Sequence, residues 1–205
     1  MYVMKLLKNR KFAVVITVIV VVLSTLLGVG RSLNRLAANT ESMFYEGVYL
    51  EDRGFLQPPL NAHLENLTHL TLDIATTFAN HPDLSNHADS IRYTRRSLSD
   101  ATGIDEKFTA FAVLCSALHS FFYAAGDIEL DDTDSDTIAL FSSAFTGMLI
   151  AIAENAYNSR ADTFMDEVPG FSLLLSSVVS VTPPQTFGPF RDGVWYFQPE
   201  AFIVS

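Results

Sequence analysis

The feature that most constrains this chain is an uninterrupted apolar stretch close to its N-terminus. Positions 12–30 read FAVVITVIVVVLSTLLGVG and contain no charged residue. As an α-helix the stretch would be about 28 Å long, close to the roughly 30 Å of hydrocarbon in a bilayer. A soluble strand rarely exceeds about 10 residues, whereas a helix satisfies its own backbone hydrogen bonds in lipid. We therefore predict a transmembrane helix at 12–30, with the lipid bilayer as its partner.

The charges beside this stretch predict its orientation. Four basic residues precede it and two follow it: Lys5, Lys8, Arg10, Lys11, Arg31 and Arg35. This excess favours a cytoplasmic segment at 1–11 and export of the rest of the chain. A cleavable signal peptide has the same layout, but here arginines stand where small residues should precede a cut. We expect an uncleaved single-pass anchor; cleavage and the reversed orientation are the alternatives.

The remainder of the chain is strongly acidic. The first 35 residues hold six of the 13 basic residues and none of the 23 acidic ones, so positions 36–205 have seven basic residues and a net charge of −16. Such a body is repelled by nucleic acid and by anionic lipid head groups. The charge therefore predicts no nucleic-acid partner.

Helical periodicity dominates the chain after the anchor. Apolar residues recur at helical spacing through 33–43, 60–78, 84–98, 108–122 and 138–156. We expect Asp83 and Asp105 to cap the third and fourth of these helices. The fifth is predicted to run without a break until just before Pro169. Antiparallel helices with apolar seams and short connections form bundles.

The pattern predicts an all-α fold with three parts after the cytoplasmic segment. These are the transmembrane helix at 12–30, an antiparallel four-helix bundle at 33–182, and an extended aromatic C-terminal tail at 183–205. Two later stretches, 108–126 and 138–153, also lack acids and bases apart from His119. Each includes Ser, Thr and Gly and has an amphipathic pattern, which favours buried bundle helices over further membrane spans.

The layout and one motif resemble the LemA family of bacterial membrane proteins. In that family the last long helix carries a Tyr-Asn pair, followed by a Phe, a Pro, an apolar segment and a late aromatic. The matching positions here are Tyr157-Asn158, Phe164, Pro169, 173–179 and Phe190. The stretch LNAHLENLTHLTLDIATTFA is similar to the family's Leu-rich helix, without the paired arginines often found ahead of it. The resemblance implies an inner-membrane protein with a four-helix core, and implies no reaction.

The residues give little reason to expect a metal, a cofactor or a catalytic centre. The acidic run DIELDDTDSD at 127–136 lacks the Gly and the final Glu of a calcium loop, which favours a solvated connection ahead of a helix. Glu-x-x-His, the ligand pattern of di-iron bundles, does not occur. Cys115 lies on an apolar seam without a cationic neighbour in sequence, so we expect a buried inert thiol. We predict no cofactor.

Four residues are candidates for interaction with a partner. Arg92, Arg95 and Arg96 share one side of a helix and form either a docking patch or ion pairs with nearby carboxylates. We expect Arg95 to cover the seam with its stem while its guanidinium reaches water. Trp195 lies in the aromatic tail, which we expect to pack in extended form along the bundle with Trp195 as an anchor.

These observations favour a scaffold or protein-interaction module of the bacterial envelope. It would be held in the inner membrane by one helix, with the N-terminus cytoplasmic and the body extracytoplasmic. An unidentified protein partner is expected, and a homo-oligomer is left open. The alternative is an envelope-associated hydrolase of unrecognised type, which would need a pocket with converging polar groups.

Overall fold

The computed structural model describes residues 10–167, 184–187, 190–191 and 194–195. The all-α class is confirmed, with two short two-stranded ribbons added. The elements in chain order are α1 (Arg10–Glu46), β1 (Val48–Leu50), β2 (Phe55–Gln57), α2 (Leu60–Thr77), α3 (Ser85–Asp100), α4 (Ile104–Gly126), α5 (Asp132–Ala153), α6 (Ala156–Glu167), β3 (Phe190–Arg191) and β4 (Val194–Trp195).

The chain divides into two compact units, which are described separately. The first comprises Met1–Thr40 and Thr163–Pro184, and the second comprises Glu41–Asp162 and Gln185–Ser205. The apolar part of α1 belongs to the first unit, and its large side chains from Val14 to Leu27 are exposed except for that of Leu26, which is half-buried. Thr17 and Thr25 donate their hydroxyls to the carbonyl oxygens four residues earlier, both at 2.9 Å. These bonds leave the exposed helix surface almost wholly apolar.

The second unit is built around a four-helix bundle. Helix α2 packs against α3 and α5, α3 packs against α4, and α4 approaches α5. Neighbours in sequence are joined by short connections, so they run antiparallel. The apolar stripes predicted over 60–78, 84–98, 108–122 and 138–156 lie in one shared core, whereas Leu36 in the stripe predicted over 33–43 is exposed. Its buried side chains include Leu64, Leu67 and Ile74 of α2, Ile91 and Leu98 of α3, Phe111, Leu118 and Phe122 of α4, and Phe145 and Leu149 of α5.

Helix α1 ends at a glycine that the turn requires. Gly47 has φ of 93°, in the left-handed region, and its N–H donates to the Met43 carbonyl at 2.9 Å. A Cβ at this position would overlap the carbonyl oxygen of Gln57. The chain then forms the β1–β2 ribbon, in which Val48 pairs with Gln57. Helix α1 therefore ends at Glu46, and the ribbon that follows was not predicted.

The two predicted helix caps are wrong. The residue before α3 is Leu84, which makes no side-chain cap, and the Ser85 N–H donates instead to the His81 carbonyl at 3.0 Å. That turn satisfies the first donors of α3 without the Asp83 side chain. Helix α4 starts at Ile104 rather than after Asp105. Its start is instead stabilised by Glu106, as described below.

The predicted long fifth helix is also wrong, because the chain breaks between α5 and α6. Asn155, in the break, donates from Nδ2 to the Pro58 carbonyl at 3.1 Å, and its Oδ1 accepts the Tyr157 N–H at 3.0 Å. Gln57 adds two bonds: its Oε1 accepts the Ala156 N–H at 2.9 Å, and its Nε2 donates to the Glu154 carbonyl at 3.3 Å. These four bonds satisfy the backbone groups that a break exposes.

Candidate functional site

The arginine cluster of α3 is partly neutralised within its own helix. Arg92 pairs with Asp89 at 2.6 Å and also donates to the Ala75 carbonyl at 3.3 Å, while Arg96 lies 3.7 Å from Asp100. Arg95 is half-buried, and its Nε is buried without a hydrogen-bond partner. The structure thus brings the three arginines onto one helix and places carboxylates beside two of them, Arg92 and Arg96. Their role as a docking patch stays a prediction.

The acidic run is divided between a connection and a helix start. Asp131 caps α5 by accepting the Asp134 N–H at 2.8 Å, and Asp132 and Asp134 lie in its first turn. Negative side chains at a helix N-terminus are stabilised by the helix dipole. Among the described residues no group of three or more His, Cys, Asp or Glu side chains is placed to hold a metal ion. Cys115 is buried in the core, where burial raises the pKa of its thiol.

An open groove of about 660 Å³ lies between the end of α4 and the exposed side of α5. Small residues on α5 create this space, because Ser135, Ala139, Ser143 and Gly147 follow one another at intervals of four. All four are exposed. The larger apolar side chains that line the groove are Phe122, Leu130, Ile138 and Ile150.

A second site, which we call the tail cleft, binds residues Gln185–Phe187 of the same chain. We define the cleft by its six side chains: Glu41 and Phe44 of α1, Phe108 and Phe111 of α4, and Tyr157 and Asn158 of α6. All of these residues and the bound segment belong to the second unit. The two-residue break described above, at Glu154 and Asn155, places the first turn of α6 beside the last turn of α1, where Tyr157 contacts Phe44.

Three polar side chains of the cleft bind the backbone of the segment. A carboxylate oxygen of Glu41 accepts the Gln185 N–H at 3.0 Å, and the Tyr157 hydroxyl donates to the Gln185 carbonyl. The Oδ1 of Asn158 accepts the Phe187 N–H at 3.0 Å. Burial, followed by the nearby charge of Glu41, raises the pKa of Tyr157 above its usual range. The phenol therefore remains protonated and able to donate at neutral pH.

Three aromatic rings receive the side chain of Phe187, which is 0% exposed. The ring centroid of Phe187 lies 5.5 Å from those of Phe108 and Phe111 and 5.7 Å from that of Phe44. Phe44 also makes an edge contact with Tyr157 at 5.3 Å. Such pairs add to the apolar burial of each ring. The cleft thus combines an aromatic pocket with polar groups that bind the backbone of the segment.

The predicted anchor of the tail, Trp195, lies in the β3–β4 ribbon, where it pairs with Phe190. Its side chain is outside the described residues, so its anchoring role stays a prediction. Phe187, one of the aromatic residues of the predicted tail, is described, and its side chain is buried in the core.

Sequence reasoning missed the tail cleft as a site. It singled out Tyr157 and Asn158 only through a family resemblance, and it did not consider Glu41 or Phe44. Asn158 could have indicated a binding site, because it is a polar residue on the buried side of a helix, next to the buried Tyr157. Its partners could not be assigned, because they are far away in sequence.

Comparison with protein-family models, with curated proteins and with solved structures finds no match to this chain. The resemblance to the LemA family therefore stays a prediction. Function has to be argued from the geometry of the chain itself.

Proposed function

We propose that this protein is a membrane-anchored interaction module of the bacterial envelope, held by the single span 12–30 with its helical body outside the cytoplasm. The observation that carries this proposal is the apolar part of α1. Only 6% of the residues in its most apolar stretch are buried, although its mean hydropathy there is 2.7. A surface of that kind is stable in lipid and costly in water. The bacterial setting comes from the resemblance to the LemA family.

A single span is favoured over three by the way the bundle packs. Helix α4 and the stretch Asp132–Phe164 are also long and apolar enough to cross a membrane. They share one core with α3, however, whose outer face carries charged residues such as Arg96 and Asp100. Charged side chains facing hydrocarbon cost about 2.5–3.5 kcal/mol each at the centre of a span. The bundle is therefore more stable in water, where it can present surfaces to a protein partner.

Pairs of lysines can distinguish the two arrangements. Val18→Lys with Val22→Lys places two charges on the exposed face of α1, and Ser143→Lys with Gly147→Lys places a matched pair on the exposed face of α5. We expect only the first pair to release the protein from carbonate-washed membranes. Loss of membrane association with the α5 pair would contradict a single span.

Orientation has its own test in fusions to the C-terminus. An alkaline phosphatase fusion should be active and a fluorescent fusion that requires the cytoplasm should be dark, because the basic excess lies before the anchor. The opposite pair of results would reject the extracytoplasmic body. Cross-linking in intact cells then identifies whether a protein partner binds.

A further inference from the structure

The contacts of Gln185–Phe187 are of the kind by which a protein binds the backbone of a peptide. All three hydrogen bonds join side chains of the tail cleft to backbone atoms of the segment. Every residue except proline has these backbone groups, so the bonds recognise the path of the backbone rather than particular side chains. Gln185 is exposed and Thr186 is half-buried. Selectivity for a side chain therefore resides at Phe187, which fills the aromatic pocket.

One donor of the tail cleft is left without a partner when this segment is bound. Asn158 is 3% exposed, and its Oδ1 accepts the Phe187 N–H, but its Nδ2 has no hydrogen-bond partner among the residues that the structure describes. A buried donor without a partner weakens binding, since it has lost water and gained nothing. The chain's own segment is thus an imperfect ligand. A segment whose carbonyl oxygen reaches Nδ2 would gain one hydrogen bond.

We propose that the tail cleft is a binding site for a phenylalanine-bearing segment of another protein, and that Gln185–Phe187 occupies it in cis until that segment replaces it. The inference rests on the proposed function, because it names the surface through which the interaction module binds its partner. The replacing segment places its phenylalanine among Phe44, Phe108 and Phe111. Its backbone carbonyl satisfies the Nδ2 of Asn158.

Competition by the chain's own segment determines what binding should look like. A tethered ligand acts at an effective concentration on the order of millimolar. A free peptide therefore binds the wild-type protein weakly, and binds more tightly once the tethered phenylalanine is removed. Phe187→Ala removes that side chain and leaves the six residues of the cleft intact.

The test measures the anisotropy of a labelled peptide with the full-length protein in detergent micelles. The probe is a synthetic peptide with the sequence of residues 182–189, and one control peptide has alanine in place of its phenylalanine. A second control peptide has alanine in place of the residues that correspond to Gln185 and Thr186. We expect Phe187→Ala to bind the probe at least tenfold more tightly than wild type does. The glutamine and threonine control should bind like the probe, and the peptide without phenylalanine should not bind.

A second variant and a cross-link make the result independent of folding defects. Adding Asn158→Ala to Phe187→Ala should weaken probe binding at least tenfold, with helicity by circular dichroism unchanged. A probe with benzoylphenylalanine in place of phenylalanine should cross-link to Phe108 or Phe111 of the wild-type protein at high peptide concentration. This measurement needs no substitution in the protein.

Several outcomes would overturn the proposal. Equal binding of the probe and the peptide without phenylalanine would remove the aromatic pocket as its site, and so would cross-links confined to other helices. Copurification of two differently tagged copies that is lost with Phe187→Ala would assign the cleft to a second copy's tail. A failure of peptide binding would leave the membrane experiments standing, because those do not depend on the cleft.

Discussion

Replacing Asn155 by alanine tests how the corner between α5 and α6 forms. This residue is 4% exposed, and both ends of its amide are used. Its Nδ2 binds the Pro58 carbonyl, and its Oδ1 binds the Tyr157 N–H. Alanine removes both bonds and leaves two backbone groups without partners in a place that water scarcely reaches.

The structure sets the expected magnitude. Each buried group that loses its partner costs about 1–3 kcal/mol, so two groups give roughly 2–6 kcal/mol. Alanine also has a higher helix propensity than asparagine, by up to about 0.7 kcal/mol. That gain applies only if position 155 becomes helical. We therefore expect Asn155→Ala to lower the free energy of unfolding by about 2–6 kcal/mol.

Urea unfolding of the full-length protein in mild detergent, followed by circular dichroism, measures the change. Asn66→Ala is the matched control, because Asn66 lies on the exposed face of α2. This substitution should change the free energy of unfolding by no more than about 0.5 kcal/mol. Gln57→Ala combined with Asn155→Ala should be non-additive by about 0.5–3 kcal/mol, because the two side chains restrain one corner.

One result would refute this reasoning. If Asn155→Ala left stability unchanged or raised it, and the helical signal increased, α5 and α6 would be joining into the single helix that periodicity predicts. The side-chain bonds of Asn155 would then not be the cause of the break.

Two further predictions concern Gly47 and Glu106. Gly47→Ala should cost at least twice as much stability as Gly54→Ala: both residues have positive φ, which costs about 1–2 kcal/mol for alanine, but only at Gly47 would a Cβ collide with backbone. Equal losses in urea unfolding would contradict this. The Glu106 carboxylate accepts the backbone N–H groups of Thr102 and Gly103, and these bonds lower its pKa below 4.5. A carboxyl whose pKa is lower in the folded state stabilises the fold above its unfolded pKa, and this stabilisation is lost as the pH falls through the folded pKa. The difference in the free energy of unfolding between wild type and Glu106→Gln should therefore shrink between neutral pH and about pH 3. A difference that stays constant with pH would exclude this role.

The positions of the bundle helices could be predicted from local sequence. Apolar residues at helical spacing identify α2, α3 and α4 because a helix buries one stripe whatever it packs against. Gly47 ends α1 because its φ of 93° suits glycine, a local property. The predicted caps at Asp83 and Asp105 failed because backbone carbonyls satisfy the N–H donors that these side chains would have bound: the Ser85 N–H binds the His81 carbonyl, and the Lys107 N–H binds the Gly103 carbonyl.

The tail cleft could not be predicted in this way. The Gln185 N–H binds a carboxylate 144 positions earlier, at Glu41, and the Phe187 N–H binds Asn158 across 29 positions. Hydrogen bonds of this kind produce no repeating pattern in the sequence, because each involves a single residue whose neighbours do not take part. The sequence contains several aromatic residues in the tail, but only the folded structure shows that Phe187 is the one, among those described, that fills the tail cleft.

The sequence by itself determined the apolar helix over 12–30, because an uncharged run of that length has one stable form in lipid, whatever else the chain does. It also determined the helical class of the body through periodicity. Tertiary structure decided where the fifth helix breaks, because Asn155 reaches a carbonyl 97 positions away at Pro58. A break requires partners for the backbone groups it exposes, and those partners are present only after the distant segments have packed together.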